Sequence, residues 1–194
     1  MTALVYGLLR RFRLTELSRR HDPRRVLALF NFINGGLSIG LLAAVAHVSA
    51  SPFIFPSLGP TAFLLFYRPT AEVSSPRNAL AGHLIGAAAG WLSLMLFGLL
   101  EAPPALQAGV SWPRVGAAAL SLGGTSALMV LLRAAHPPAG ATTLIVSLGL
   151  MPHLWQIPVL MAAVLLLLAQ AFVLNRLAGI RYPFWHPDRT PPDT

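Results

Sequence analysis

Ala134-Ala135-His136-Pro137-Pro138-Ala139-Gly140-Ala141-Thr142-Thr143 opens a run of 42 residues, Ala134 to Asn175, that contains no Asp, Glu, Lys or Arg. One helical membrane crossing needs about 20 predominantly apolar residues, so this run is long enough for two crossings joined by a tight turn. Working outward, a second charge-free run of 42 residues extends from Val26 to Tyr67, and runs of 23 and 18 residues cover Asn78–Leu100 and Val115–Leu132. Of the 194 residues, 55% are hydrophobic and 10% charged, against about 25% charged in a soluble domain. That is too little charge to coat a water-facing surface. The pattern predicts an all-α membrane protein and excludes a soluble fold.

The two long runs are not uniform. Pro52, Pro56, Gly59 and Pro60 lie within nine residues of one another, which breaks regular helix, and His136–Gly140 interrupts the second run in the same way. Full spans are predicted over Val26–Val48, Asn78–Leu100, Arg114–Leu132 and Ile157–Leu177, with a short apolar segment after each broken block. The blocks repeat: Pro56-Ser57-Leu58-Gly59-Pro60-Thr61 aligns with Pro137-Pro138-Ala139-Gly140-Ala141-Thr142 at an offset of 81. Pro, Gly and Thr match in order. The expected fold class is therefore two inverted three-segment repeats, four full spans plus two half-length segments each starting at a helix break. The domain reading is a cytoplasmic basic segment 1–25, a transmembrane domain 26–178 (repeat 1 26–100, repeat 2 113–178), and a cytoplasmic tail 179–194.

All 14 basic residues are Arg, and seven precede Val26. If the short segments cross, 13 Arg lie on the side of the N-terminus and only Arg114 on the other; if they are re-entrant, the split is 11 to 3. The positive-inside rule favours six crossings. This places both termini in the cytoplasm and the chain in a bacterial inner membrane. Leu4, Leu8, Phe12 and Leu14 among arginines suggest a short surface helix against anionic lipid head groups. The apolar stretch Ala3–Leu9 precedes the arginines, the reverse of a cleavable signal peptide. Nucleic-acid binding is not expected, because the spans leave no soluble binding surface. Tyr182, Phe184 and Trp185 suit an interfacial aromatic belt.

Pro137 disfavours helix at His136, and proline suits a helix's first turn, so a helix should start at or just after Pro138, inside the membrane. A helix N-terminus offers free N–H groups and about half a positive charge, a natural anion site. Pro60 and Thr61 do the same in the first half. Paired interrupted segments in two halves are the sequence signature of a transporter site. The competing reading is that Pro and Gly only permit tight packing.

The His136-Pro137-Pro138-Ala139-Gly140-Ala141 string resembles the HPP family of integral membrane proteins, named for its tripeptide. The resemblance extends to Ser57-Leu58-Gly59-Pro60-Thr61-Ala62 and to Pro76-Arg77-Asn78 followed by Gly82-His83, and covers roughly 28–178. It implies a four-span transmembrane region. Some plant and cyanobacterial members are linked to nitrite transport, which implies a small inorganic anion as substrate here.

Candidate substrate-binding residues are Ser57, Gly59, Thr61, His83, His136, Pro137, Pro138, Gly140, Thr142 and Thr143. His136 offers anion hydrogen bonding or proton coupling, or else acts as a cap. His83, ionisable within a span, is a site candidate by position or an interhelical structural bond. Arg133 reads as a snorkelling anchor. Gly82, Gly86 and Gly90, like Gly35-Gly36-Gly40 and Gly116-Gly123-Gly124, read as close-packing stripes, with Asn34 and Thr125 as interhelical hydrogen-bonding groups. There is no Cys, and the His spacing offers no metal pair, so no cofactor or metal is expected. No carboxylate lies within a span, so no enzyme is expected. The resulting function is a small-anion transporter or channel, with nitrite a candidate and the anion held between the N-termini of the two broken helices near the midplane, and it is expected to form a homo-oligomer. The alternative is a non-transporting membrane scaffold or partner subunit.

Overall fold

The computed structural model describes residues 14–187. The pattern of Leu4, Leu8 and Phe12 lies outside them, as does nearly all of the tail beyond Trp185. Among the described residues every regular element is helical: α1 Leu14–Arg20, α2 Pro23–Ser49, α3 Leu58–Tyr67, a 3₁₀ turn Glu72–Ser74, α4 Pro76–Leu96, the single turn α5 Ala105–Ala108, α6 Trp112–Leu131, α7 Pro138–Ser147 and α8 Gln156–Leu177. Helices α2, α4, α6 and α8 are long and apolar enough to cross a membrane, with mean hydropathies of 1.8, 1.6, 1.4 and 2.6. Helices α3 and α7 have ten residues each, and non-helical chain leads into both.

Local chemistry sets the boundaries. Asp22 accepts a hydrogen bond from the Arg24 N–H with Pro23 in the first helical position, and Ser75 accepts from the Asn78 N–H with Pro76 in that position. Both are N-caps with a proline where its missing N–H costs nothing. Pro138 starts α7, as the sequence required. Helix α6 ends in a Schellman turn. Arg133 takes a left-handed φ of 49°, the Arg133 N–H reaches Val130 O at 3.1 Å, and the Ala134 N–H reaches Met129 O at 2.8 Å. The turn redirects the chain sharply into His136.

Hydrogen bonds sort the helix ends onto two faces. On one face, the Leu14 N–H bonds Ala178 O at 3.0 Å and the Arg77 N–H bonds Trp185 O at 3.1 Å, so the start of α1, the start of α4 and the end of α8 lie together. The end of α3 joins them: Asn175 Nδ2 donates to Leu65 O at 3.0 Å and Ser74 Oγ to Leu64 O at 3.2 Å. So does the end of α6, where Arg77 donates to Arg133 O at 2.8 Å and Leu132 O at 3.1 Å. The end of α7 lies on the other face, where the Ala105 N–H bonds Leu148 O at 2.9 Å. There Arg114 donates to Ser147 O at 3.1 Å and Pro103 O at 3.0 Å. Helix α3 therefore runs toward the face that holds both described chain ends, and α7 runs away from it.

Helix α4 is central, and its glycines set the spacing. A Cβ on Gly82 would sit 2.8 Å from His136 Cβ, on Gly86 2.7 Å from Ala139 O, and on Gly90 2.7 Å from Val146 Cβ. That stripe is the seat of α7. Gly116 is likewise closed over, by Phe97. The other stripes differ from expectation. Gly35, Gly36, Gly40, Gly123 and Gly124 have nothing within 4 Å of a built Cβ, because those faces of α2 and α6 turn outward from this chain. Helix α2 buries only Asn34, Ser38 and Leu42. Asn34 Nδ2 bonds its own helix at Phe30 O, 2.7 Å, not a neighbour. Tyr182 is not part of an interfacial belt. It is fully buried, and its hydroxyl donates to Ser74 O at 2.8 Å, pinning the segment after α8 to the 3₁₀ turn. Phe184, by contrast, is exposed.

Candidate functional site

Four polar side chains from separate stretches of sequence meet where the two short helices begin. Thr61, in the first turn of α3, places Oγ1 2.9 Å from His83 Nε2 and 3.2 Å from His136 Nε2. His83 Nδ1 lies 2.7 Å from Thr142 Oγ1. His136 Nδ1 lies 2.7 Å from the Val73 carbonyl oxygen. The two imidazole centroids are 5.0 Å apart. Thr61, His83, His136 and Thr142 are all buried. His83 is seven residues from the start of α4, about 10 Å at roughly 1.5 Å per residue. The centre therefore lies nearer the face of Arg77 than the opposite face.

Each group is held from behind. His136 follows the Schellman turn, and that connection is gripped by α4: Arg77 forks onto Leu132 O and Arg133 O, and Asn78 Nδ2 reaches Ala135 O at 3.4 Å. A guanidinium on the last carbonyls of a helix also complements its dipole. Gly82 leaves room for His136 Cβ against α4; any larger residue there collides with the histidine.

The donor and acceptor pattern is constrained. Val73 O only accepts, so His136 Nδ1 carries hydrogen, and a neutral ring presents the Nε2 lone pair to Thr61. All imidazole nitrogens gain a partner when Thr142 O–H donates to His83 Nδ1, His83 Nε2–H donates to Thr61, and Thr61 O–H donates to His136 Nε2. Thr61 has a second acceptor within reach, Ser57 O at 2.9 Å. One hydroxyl hydrogen thus faces two acceptors.

The remaining candidates separate by position. Thr143 lies on the packing side: it donates to Ala139 O at 3.1 Å and lies 2.8 Å from Thr125 Oγ1, joining α7 to α6. Gly140 faces Leu122, with a built Cβ 3.4 Å from Leu122 Cδ1. Pro138 is buried and Pro137 exposed. The N–H groups of Ala139 and Gly140 are used locally, on His136 O at 2.9 Å and Pro137 O at 3.0 Å, so the start of α7 presents few free amides. The start of α3 is more open. Pro60 has no N–H, Gly59 is exposed, and Ser57 Oγ is buried without a hydrogen-bond partner. The sequence reading did not find the Val73 carbonyl, an unremarkable residue type, or the grip of Arg77 on the α6–α7 connection. Arg114, counted only as an outer charge, is buried and holds carbonyls at the end of α7. A groove of about 480 Å³ beside α1 and α2, lined by Leu17, His21, Arg25, Leu29 and Phe30 among others, does not touch the centre. Among the described residues no group of three His, Cys, Asp or Glu is placed to hold a metal ion.

A family model described as HPP, transmembrane region, matches residues 20–183. A transmembrane protein of Dictyostelium discoideum is 29% identical over 136 residues, which cover 66% of this chain and 44% of that protein. The chain thus spans less than half of that relative's length. No solved structure matches.

Proposed function

The chain belongs to the HPP transmembrane family, and on that premise we propose that it is a transporter or channel for small inorganic anions, with nitrite the leading candidate. The observation that carries the reading is the buried junction of Thr61, His83, His136 and Thr142 at the starts of two short helices that run in opposite directions. Polar groups this deep in an apolar bundle are costly unless they are used or fully paired. An intramembrane ionisable side chain is a functional-site candidate by position, and two of them meet here. The opposed directions of α3 and α7 fit an inverted pair of halves, α2–α4 and α6–α8, the architecture in which half-helices meet at a substrate site.

The anion is received at the start of α3, by the Ser57 hydroxyl that has no partner and the Gly59 N–H, with the helix dipole favouring negative charge. Thr61 links this end to the histidines. Both termini are placed in the cytoplasm, where Arg68, Arg77, Arg133, Arg176 and Arg181 follow the positive-inside rule. A homo-oligomer completes the proposal.

The test is uptake of nitrite by proteoliposomes carrying Ser57→Ala, His136→Ala or Thr142→Val, each compared with the parent. The reading expects a raised half-saturation for Ser57→Ala and uptake reduced about tenfold or more for the other two, as expected when buried partners are left unpaired. Unchanged uptake and affinity in all three would remove the site.

A further inference from the structure

We infer that a proton travels with the anion, held on Nε2 of His136 and relayed between the two short helices through Thr61 and His83. This rests on the anion-transport reading and adds the coupled ion to it. The geometry provides a continuous line of hydrogen bonds from Thr142 through His83 and Thr61 to His136 and the Val73 carbonyl, with successive separations of 2.7, 2.9, 3.2 and 2.7 Å and one side branch, from Thr61 to Ser57 O. Each member of the line is a hydroxyl or imidazole able both to give and to receive a proton, and the line ends on a carbonyl that only accepts.

Thr61 gives this line two states. With His136 neutral, the Thr61 hydroxyl donates to His136 Nε2. When Nε2 carries a proton delivered through the line, it donates back to Thr61 Oγ1, and the Thr61 hydrogen faces Nε2 of His83, which has given up its own. Ser57 O at 2.9 Å is a second acceptor for that hydrogen. No heavy atom moves, and no donor or acceptor of the line is stranded in either state. The proton balance is simple. A proton arriving at Nδ1 of His83 releases the Nε2 proton to Thr61, whose own hydrogen passes to Nε2 of His136. The neutral centre becomes singly positive.

That charge is what couples the two ions. The four side chains are at most 1% exposed, and an isolated charge in such a place is strongly disfavoured. The charged groups around His136 do not cancel it. Arg77 on α4 and Arg133 in the connection are cationic, and the Arg77 guanidinium is turned onto backbone carbonyls. Glu72 on the 3₁₀ turn is exposed. Tyr182 faces the turn through its hydroxyl, bonded to Ser74 O. Within α3, the only titratable side chain is Tyr67, at its far end. Among the described residues no carboxylate is hydrogen-bonded or ion-paired to either imidazole. The missing negative charge is supplied by the anion at Ser57 and Gly59, one turn from Thr61. Neither ion enters readily alone, and together they are neutral.

The experiment follows nitrite uptake and internal pH in the same proteoliposomes, with the membrane voltage clamped by potassium and valinomycin and the passive entry of nitrous acid subtracted using protein-free vesicles. The expected result is one proton entering per anion, at a rate insensitive to the clamped voltage. Thr61→Val, which breaks the line, slows coupled uptake about tenfold or more, and Thr61→Ser, which keeps the hydroxyl, restores it. Protein-dependent anion uptake that follows voltage and leaves internal pH unchanged overturns the proton inference and leaves the anion reading intact. Full coupling in a monodisperse Thr61→Val protein also overturns it, and absence of any uptake overturns both.

Discussion

Replacing Gly86 with alanine puts a methyl group 2.7 Å from the Ala139 carbonyl oxygen and 2.8 Å from Thr143 Oγ1. Ordinary non-bonded contact begins near 3.4 Å, so α7 must retreat from α4 by about 0.7 Å. The obstructing carbonyl is backbone, which no rotamer change can clear. Overpacking of this kind costs about 1–3 kcal/mol, while alanine in a helix interior returns up to about 1 kcal/mol over glycine. The clean comparison is with Gly36→Ala and Gly123→Ala, where the added Cβ meets nothing within 4 Å and only the propensity gain applies. Gly86→Ala should be less stable than either by about 1–3 kcal/mol. At about 2–4 °C per kcal/mol for a chain of this size, its thermal midpoint in detergent should lie about 2–12 °C lower. The same retreat lengthens the 2.7 Å link from Thr142 to His83, so nitrite uptake should fall together with the midpoint. Equal midpoints for all three variants would show that α7 does not sit on the α4 glycine stripe, and the four-residue centre would lose its support.

Other outcomes follow from the same geometry. Cysteines introduced singly at Arg20 and Thr70, both exposed, should label from the same side of a sealed membrane with an impermeant maleimide; labelling from opposite sides would refute six crossings. Tyr182→Phe leaves the buried Ser74 carbonyl without its donor and should cost about 1–3 kcal/mol in thermal or denaturant unfolding, whereas a surface tyrosine would cost almost nothing. Burial also pushes the Tyr182 phenol above the ordinary tyrosine range. Its folded form therefore holds its proton longer than the unfolded form, and stability should fall as pH rises past about 10. The fall should be smaller in Tyr182→Phe.

The parts of this fold that were legible in the sequence are those written in charge and in chain-breaking residues. The four predicted spans fall within a few residues of α2, α4, α6 and α8, because an apolar stretch of span length has few other stable states. Pro138 marked the start of α7 because a proline there loses no hydrogen bond. The Gly82–Gly86–Gly90 stripe did mark a close helix contact. The Gly36–Gly40 pair on α2, with the same four-residue spacing, did not, because a small residue permits close approach without requiring it. All four members of the His–Thr centre stood among the candidates, yet nothing in their spacing says that Thr61 and His136, 75 positions apart, share one hydrogen bond. That pairing depends on α3 and α7 running in opposite directions and on Arg77 holding the α6–α7 turn, both long-range properties. Tyr182 misled for a related reason: an aromatic near a span end is usually interfacial, and only the folded position of Ser74 draws this one inside.

The most direct measurement is protein-dependent flux of a panel of small monovalent anions, nitrite, nitrate, chloride and formate, into sealed proteoliposomes against protein-free vesicles. Saturable uptake of at least one of them, lost in His136→Ala, is the predicted result. Sealed vesicles containing monodisperse protein that show no anion-dependent flux under any imposed gradient would contradict the account at its centre.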